Sequence, residues 1–291
     1  MSIELQAEKT VHAVEPMTET LFRPGRDYRI GTRTGQRMVA FFEDRLVVQG
    51  NGPCPQLPAA EMLTACDPSA DPRLYLGTLG NEVYVGRLLS EAPDLAGGLA
   101  LVGLRSLFGE LEEAQFQLAG YALHLLRWVG EHRYCGRCAA PMDLAEGDRA
   151  LVCPTCRTPL YPRIAPAVIV AITSGRRLLL ARSGRFPGRR MFSVIAGYVE
   201  PGETLEECVR REVHEEVGLR VRRIRYFGSQ SWPFSGSLMV GFTAEHANGA
   251  IQVDGREILE ADWFVPERLP EIPGRISIAR RLIDWFVETY T

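Results

Sequence analysis

Acidic side chains are concentrated between residues 203 and 216 of the sequence. Glu212, Glu215 and Glu216 are spaced three and four positions apart, so they would share one side of a helix. Like charges at that spacing destabilise a helix by a few tenths of a kcal/mol per pair, and no lysine stands among them. A hard divalent cation with oxygen ligands would neutralise them. The alternative is a solvated acidic helix face.

Four of the seven cysteines fall in two C-x-x-C pairs separated by 14 residues, Cys135 with Cys138 and Cys153 with Cys156. Each pair predicts a tight turn with two thiolates, and together they predict a closed tetrahedral site for one structural zinc ion. The alternatives are four unrelated thiols or a redox pair, but neither pair opens a helix after a strand. We expect the remaining cysteines to be small buried hydrophobes: Cys54, Cys66 and Cys208.

The carboxylates need a helix to position them, and the local sequence predicts one over residues 205–217. Pro201 and Gly202 mark a turn, Thr204 with Glu207 matches a capping box, and Gly218 is a helix stop. Apolar residues recur every four positions and predict a buried stripe: Leu205, Val209, Val213 and Val217.

The same segment resembles the Nudix box at every defined position: Gly197, Glu203, Arg211, Glu212, Val213, Glu215, Glu216, Gly218 and Leu219. The resemblance implies an α/β/α sandwich, Mg²⁺ or Mn²⁺, and substrates in which a nucleoside diphosphate is linked to another group. It implies that Glu212 and Glu216 ligate metal and that Glu215 is a ligand or a base. Arg211 would orient Glu203 through a salt bridge, and the carbonyl of Ala196 would complete the metal shell.

Downstream, residues 229–237 read S-Q-S-W-P-F-S-G-S, which resembles the S-Q-P-W-P-F-P-x-S array of the NADH pyrophosphatase branch. Ser231 and Ser235 replace two prolines, which frees the loop backbone. The aromatic rings would stack on a nicotinamide or adenine ring, with Tyr198 on the other face. The alternative is a hydrophobic loop packed on the core. The array implies these substrate contacts: Gln230, Ser231, Trp232, Pro233, Phe234, Ser235, Gly236 and Ser237.

Further positions outside the box and the array also resemble this branch. Glu257 would be another metal ligand, Tyr161 and Ala279 would line the substrate site, and Arg105 is a candidate for a further substrate contact. The alternatives are that Glu257 is a surface acid and that Tyr161 packs on the zinc ribbon.

We therefore expect three regions: a mixed α/β N-terminal domain (1–128), a zinc ribbon (129–163) and a Nudix hydrolase domain (164–291). The expected strands are 38–42, 74–76, 83–89, 167–172, 177–181 and 221–229. The expected helices are 110–130, 205–217 and 277–288. No internal sequence repeat is evident.

Bulk properties narrow the expected setting. The 291 residues carry a formal charge of −3, so no global field attracts polyanions. The longest apolar run, Ala165–Ile172, is too short to span a bilayer, and the first residues lack an apolar signal region. We expect a cytoplasmic enzyme without a membrane partner, and the family resemblance implies a homodimer.

The expected reaction is metal-dependent hydrolysis of the pyrophosphate of NAD(H), giving nicotinamide mononucleotide and AMP. Removal of an NAD cap from RNA is an alternative with the same chemistry, for which Arg220, Arg222, Arg223 and Arg225 could contact phosphates. An alternative of another class is a zinc-ribbon nucleic-acid-binding regulator with an inactive Nudix fold. Loss of box carboxylates would indicate that regulator, and all of them are present.

Overall fold

A computed structural model describes residues 22–25, 36–50, 54–64, 74–93, 95–184 and 190–291. They form two compact units. The N-terminal unit comprises the described residues up to Arg163 together with Pro233–Ser235. The C-terminal unit comprises those of Ile164–Trp232 and Gly236–Thr291.

The N-terminal unit contains a six-stranded sheet with helix α2 (Glu113–Glu131) on one face and the short helix α1 (Ala60–Thr64) on the other. The strands are β1 (Phe22–Pro24), β2 (Gln36–Phe42), β3 (Arg45–Gln49), β4 (Leu74–Leu79), β5 (Glu82–Leu89) and β6 (Leu99–Gly103). Their order is β1-β4-β5-β2-β3-β6, and only β2 and β5 are parallel among these pairs. Alternate residues of β2 serve the two faces: Val39 packs with α2 and Met38 with α1.

The cysteine segment forms a small three-stranded sheet within the same unit. Its strands, β7 (Asp143–Leu144), β8 (Leu151–Val152) and β9 (Pro159–Leu160), are two residues long and pair antiparallel. Leu151 is buried in the cluster that surrounds α2. So small a sheet cannot bury enough apolar surface to be stable alone, and it therefore needs another source of stability.

The C-terminal unit is built on a second sheet of order β13-β14-β10-β11-β15, with β12 paired to β10. Its elements are β10 (Ala165–Ser174), β11 (Arg177–Ser183), β12 (Ile195–Tyr198), α3 (Leu205–Val217), β13 (Arg220–Trp232), β14 (Ser237–Asn248), β15 (Ile258–Phe264) and α4 (Ile278–Tyr290). Along β10, Val168 and Val170 pack with α3, whereas Ile169 and Ala171 pack with α4. The sheet is thus covered on both faces, which confirms the α/β/α sandwich.

The two sheets share a strand topology that the sequence did not reveal. The order β4-β5-β2-β3-β6 corresponds to β13-β14-β10-β11-β15, and each contains one parallel pair at the same place, β5 with β2 and β14 with β10. Helix α1 precedes β4 in the N-terminal unit, just as α3 precedes the corresponding strand β13 in the C-terminal unit. Helix α1 has five residues, whereas α3 has 13. The N-terminal unit thus repeats the architecture of the C-terminal unit without the long acidic helix.

The predicted elements were largely found. The helix expected over 205–217 has those bounds, while the strands expected at 74–76 and 221–229 extend to Leu79 and Trp232. Nine strands of the described residues were not predicted: β1, β3, β6, β7, β8, β9, β12, β14 and β15. Cys208 is buried as expected, but Cys54 is exposed, so that expectation was wrong, and Cys66 lies outside the described residues. None of the helices in the described ranges combines the length and apolar character needed to cross a membrane.

Candidate active site and zinc site

Helix α3 presents the acidic residues because its two ends are fixed by local hydrogen bonds. The Thr204 hydroxyl accepts a bond from the Glu207 backbone N–H at 3.3 Å, and the Glu207 carboxylate accepts one from the Thr204 N–H at 2.8 Å. This completes the predicted capping box. Gly218 ends the helix with a φ of 70°, a conformation that glycine adopts without strain. The apolar stripe is buried on the sheet, so the opposite side faces outward.

Arg211 ties together three of the predicted acidic side chains. It donates to both carboxylate oxygens of Glu203, at 2.7 and 2.9 Å, which forms the predicted salt bridge. It also donates to Glu212 at 2.8 Å and to Glu215 at 3.0 Å. A further bond goes to the backbone carbonyl of Tyr198. The acidic cluster is therefore partly neutralised by an arginine of the same helix, whose bonds to Glu212 and Glu215 were not predicted.

The carboxylates differ in exposure and in hydrogen bonding, and the pKa values of Glu203 and Glu212 are shifted in opposite directions. Glu216 is only 7% exposed, whereas the Glu215 side chain is 59% exposed. Hydrogen bonds from Arg211 lower the pKa of Glu203 to about 2. Burial raises the pKa of Glu212 despite its bond to Arg211, and the charges of Glu215 and Glu257 raise it further. Glu257 is exposed, as a surface acid would be. Its negative charge nevertheless contributes to the raised pKa of Glu212.

A glycine makes room for Glu212. Gly197 lies in β12, paired with Val168 of β10, and a Cβ atom added to it would fall 1.9 Å from Cδ of Glu212. Any other residue would therefore displace the carboxylate. Ala196, the predicted carbonyl ligand, is the neighbouring residue and pairs with Ile169.

The oxygen donors near Gly197, where the Glu212 carboxylate lies, suit a hard divalent cation. The set consists of carboxylates, partly removed from water, and such ligands favour hard divalent cations over softer metals. Within the described ranges, only the four ribbon cysteines meet closely enough to form a group that could hold an ion by themselves. Glu212 and Glu215 instead bond to Arg211, so a cation would compete with the guanidinium for them.

The four cysteines of the ribbon converge as predicted. Their sulfur atoms all lie within 4.8 Å of one another, with Cys135 Sγ 3.5 Å from Cys156 Sγ and Cys138 Sγ 3.4 Å from Cys153 Sγ. A tetrahedral zinc ion with bonds of about 2.3 Å needs sulfurs about 3.8 Å apart. Each pair forms the same turn, in which the residue after the second cysteine has a φ of 59°. The geometry fits a closed structural zinc site.

Several predicted substrate contacts are occupied by structural hydrogen bonds. The Gln230 side chain donates to the Ile276 carbonyl at 2.8 Å and accepts from the Ile278 N–H at 2.7 Å, which satisfies a backbone donor at the start of α4. The hydroxyls of Tyr198 and Ser237 are 3.1 Å apart. Ser237 is 1% exposed, so its hydroxyl is not open to solvent.

The remaining candidates fall into exposed and buried groups. Tyr161 is 55% exposed and Tyr198 46% exposed, so both rings have open faces on which a base could stack. Ala279 is buried in the first turn of α4, against the sheet. Trp232 ends β13 and is partly exposed.

Phe234 follows the alternative expected for this loop. Pro233, Phe234 and Ser235 belong to the N-terminal unit, and the Phe234 ring packs against the core around α2. The guanidinium carbon of Arg105, a predicted substrate contact, lies 4.4 Å from the centroid of the Phe234 ring, in a cation–π contact. The Phe234 ring thus contacts both the core around α2 and the Arg105 guanidinium.

Arg127, for which no role was predicted, bonds to two of these residues, Pro233 and Phe234. It donates to the carbonyls of Pro233 and Phe234, at 3.3 and 3.1 Å, and forms an ion pair with Asp44. Its partners are 106 and 107 residues away in the sequence, and no local pattern marks an arginine in the middle of an amphipathic helix.

Comparison with known families agrees with this architecture. The NUDIX domain matches residues 163–286, the NADH pyrophosphatase-like rudimentary NUDIX domain residues 35–128, and the NADH pyrophosphatase zinc ribbon domain residues 131–161. The rudimentary domain corresponds to the sheet whose topology repeats that of the C-terminal unit.

Known proteins resemble the chain over most of its length. It is 46% identical over 209 residues to the NAD-capped RNA hydrolase NudC of Stutzerimonas stutzeri, covering 72% of this chain and 74% of that protein. It is 47% identical over 216 residues to NudC of Deinococcus radiodurans, covering 72% and 76%. A Nudix hydrolase structure from Nitrosomonas europaea is 26% identical, with a TM-score of 0.47 over 54% of this chain and 90% of that one. The chain belongs to the Nudix hydrolase family, in the branch that carries the NADH pyrophosphatase zinc ribbon.

Proposed function

We propose that this Nudix hydrolase cleaves the pyrophosphate bond of NAD(H) to give nicotinamide mononucleotide and AMP. The observation that carries the proposal is the acidic cluster on α3. Arg211 bonds to Glu203 and Glu212 of this cluster, and Gly197 leaves the space that the Glu212 carboxylate occupies. The rudimentary domain and the ribbon, both of a kind named for NADH pyrophosphatase, support this substrate class.

The acidic residues would have two roles, as metal ligands and as the general base. Glu212, Glu216 and Glu257, with the carbonyl of Ala196, would hold Mg²⁺ or Mn²⁺. Such an ion neutralises charge on the pyrophosphate oxygens and lowers the pKa of water. Glu216 or the more exposed Glu215 would take the proton as water attacks one phosphorus in line and the other nucleotide phosphate leaves.

Positioning residues would complete the catalytic arrangement. Arg211 would keep Glu203 and Glu212 in place, since it bonds to both carboxylates. The exposed ring of Tyr198, with Trp232, would stack on a base of the dinucleotide. The Ser231 hydroxyl and the backbone around Ser231 and Gly236 would bond to ribose or phosphate, and Ala279 would line the substrate site.

The experiment that tests this function is product analysis by chromatography after mixing the protein, Mg²⁺ or Mn²⁺, and NADH. We expect reduced nicotinamide mononucleotide and AMP, formed only with metal. Glu216→Gln should lower turnover by about 10²–10⁴-fold without loss of fold, since it keeps the side-chain volume and removes the charge. Near-normal turnover of this variant would remove Glu216 from the mechanism, and intact NADH with the folded wild type would reject the substrate.

Removal of an NAD cap from RNA is a second candidate, favoured by the relatives' names and by the edge strand β13. Arg220, Arg222, Arg223 and Arg225 are exposed along that strand. Arg222 and Arg223 share one carboxylate, that of Glu245, so the strand keeps excess positive charge. Such a strand suits the phosphates of an RNA chain that follows the cap.

A charge reversal on β13 separates the two substrates. Arg225→Glu should lower kcat/KM on NAD-capped RNA by about tenfold at low salt and leave NADH hydrolysis unchanged, because free NADH has no downstream phosphates. Arg268→Glu, an exposed arginine after β15, is the matched control. Equal effects of the two variants on capped RNA would exclude β13 as the RNA contact.

We further propose that the protein is a cytoplasmic homodimer. The support for the compartment is the set of zinc-binding thiolates, which a reducing environment preserves. Sedimentation velocity would report the oligomeric state, and a species of monomer mass at micromolar concentration would reject the dimer.

A further inference from the structure

The hairpin that joins β13 to β14 has its tip in the N-terminal unit. Pro233, Phe234 and Ser235 form this tip, and Gly236 follows with a φ of 67°. Arg127 donates from one guanidinium nitrogen to the carbonyls of both Pro233 and Phe234. A charged donor shared by two successive carbonyls fixes the orientation of both peptide groups.

Helix α2 is shaped to receive the tip. Gly120 lies seven residues before Arg127, which is two turns along the same face of the helix. A Cβ atom added to Gly120 would come within 3.2 Å of Cγ of Pro233, a distance tighter than ordinary contact. Arg105 covers the Phe234 ring from the 3₁₀ turn Leu104–Leu107. The tip is therefore held at its backbone, at its proline and at its ring.

The sequence of the hairpin tip indicates why its backbone requires contacts that restrict it. The array that this segment resembles has prolines where Ser231 and Ser235 stand. A proline ring fixes φ and restricts the preceding residue, so serine leaves the backbone with more freedom. The two bonds from Arg127 act on the peptide groups just before Ser235, where that freedom arises.

We propose that Arg127 is a positioning residue for the substrate loop and that it supplies the constraint that a proline at position 235 would otherwise supply. It acts through the backbone of Pro233 and Phe234 on the flanking Trp232, without contacting the substrate. The inference rests on the proposed function, because the loop is assigned to substrate binding there.

Arg127→Met tests the proposal against Arg37→Met as a matched control. Arg37 lies in the same unit, is 29% exposed compared with 26% for Arg127, and likewise pairs with an acid, Glu82, and bonds to a carbonyl, that of Leu57. We expect Arg127→Met to raise KM for NADH about tenfold with kcat changed less than twofold, and Arg37→Met to change neither. Equal KM values for the two variants would overturn the proposal.

A proline restored to the tip provides the decisive second variant. Ser235 does not have a positive φ, the conformation that would exclude a proline. Adding Ser235→Pro to Arg127→Met should return KM to within about threefold of the wild-type value, since the proline replaces the lost constraint. No decrease in KM would contradict a role in loop positioning, because a purely structural defect would not respond to this change.

A readout independent of turnover separates this inference from the proposed reaction. The chain has four tryptophans and can carry 5-fluorotryptophan, and Trp232→Phe assigns the Trp232 fluorine resonance. Arg127→Met should broaden or shift that resonance, whereas Arg37→Met should not. If the wild type fails to cleave NADH, the proposed function falls while this spectrum still decides whether Arg127 fixes the loop. An unchanged Trp232 resonance would reject the inference.

Discussion

At the scale of single residues, the site depends on what surrounds each carboxylate as much as on the carboxylates. Arg211 bonds to Glu203, Glu212 and Glu215, and its removal would leave three acids in mutual repulsion. The spacing of these residues was predictable, because i, i+3 and i+4 positions share a helix side by geometry alone. The network of Arg211 followed only from the family pattern and the structure.

Gly197→Ala is the sharpest residue-scale prediction. The added methyl group would overlap the Glu212 carboxyl, so that side chain must move. A displacement of about 1 Å in a catalytic group costs on the order of 100-fold in rate, and we expect that loss in kcat with NADH. Gly274→Ala is the control, because nothing lies within 4 Å of its added Cβ atom. Unchanged turnover of Gly197→Ala would mean that the position of Glu212 is not critical.

At the scale of elements, the Gln230 side chain bonds strand β13 to the start of helix α4. Gln230 bonds to the backbone on both sides of Ser277, the residue that caps α4 through its own hydroxyl. An uncapped helix start leaves backbone N–H groups without intrahelical partners, so this amide stabilises the helix against the sheet. If Gln230 is structural, its substitution should lower the free energy of unfolding. If it recognises substrate, the substitution should raise KM instead.

Gln230→Met should lower the free energy of unfolding by about 1–3 kcal/mol, because it removes two hydrogen bonds and leaves backbone groups to be satisfied elsewhere. Urea denaturation measures this change, with the exposed Gln252→Met as control. A variant as stable as the wild type but with a raised KM would assign Gln230 to substrate recognition instead.

At the scale of the whole molecule, stability comes from two kinds of source. The two large sheets bury apolar clusters on both faces, whereas the ribbon sheet consists of strands of two residues. A structural metal compensates for a small core because its binding energy is part of the folding energy. The ribbon should therefore depend on zinc in a way that the α3 and α4 layers do not.

Metal analysis should find one zinc ion per chain, and Cys153→Ser should lose it. Hydrogen exchange in that variant should then rise for the amides of residues 133–160 and stay unchanged in α3, because only the ribbon loses its cross-link. Cys208→Ser, a buried cysteine outside the ribbon, tests for a general effect of removing a thiol. Zinc retained at full occupancy in Cys153→Ser would contradict the four-cysteine site.

The sequence by itself determined the features that depend on neighbours in the chain. These include the bounds of α3 with its caps, the shared side of its carboxylates and the two cysteine turns, since each follows from spacings of fewer than ten residues. Family resemblance added the fold and the reaction class.

The tertiary structure alone decided the contacts between distant segments. It gave both polar atoms of Gln230 to the backbone at α4, packed Phe234 on a core, and brought Arg127 to carbonyls more than 100 residues away. It also revealed that the two sheets share one strand order. Such outcomes depend on which buried surfaces and backbone groups find partners across the fold, and no local pattern of residue types encodes that pairing.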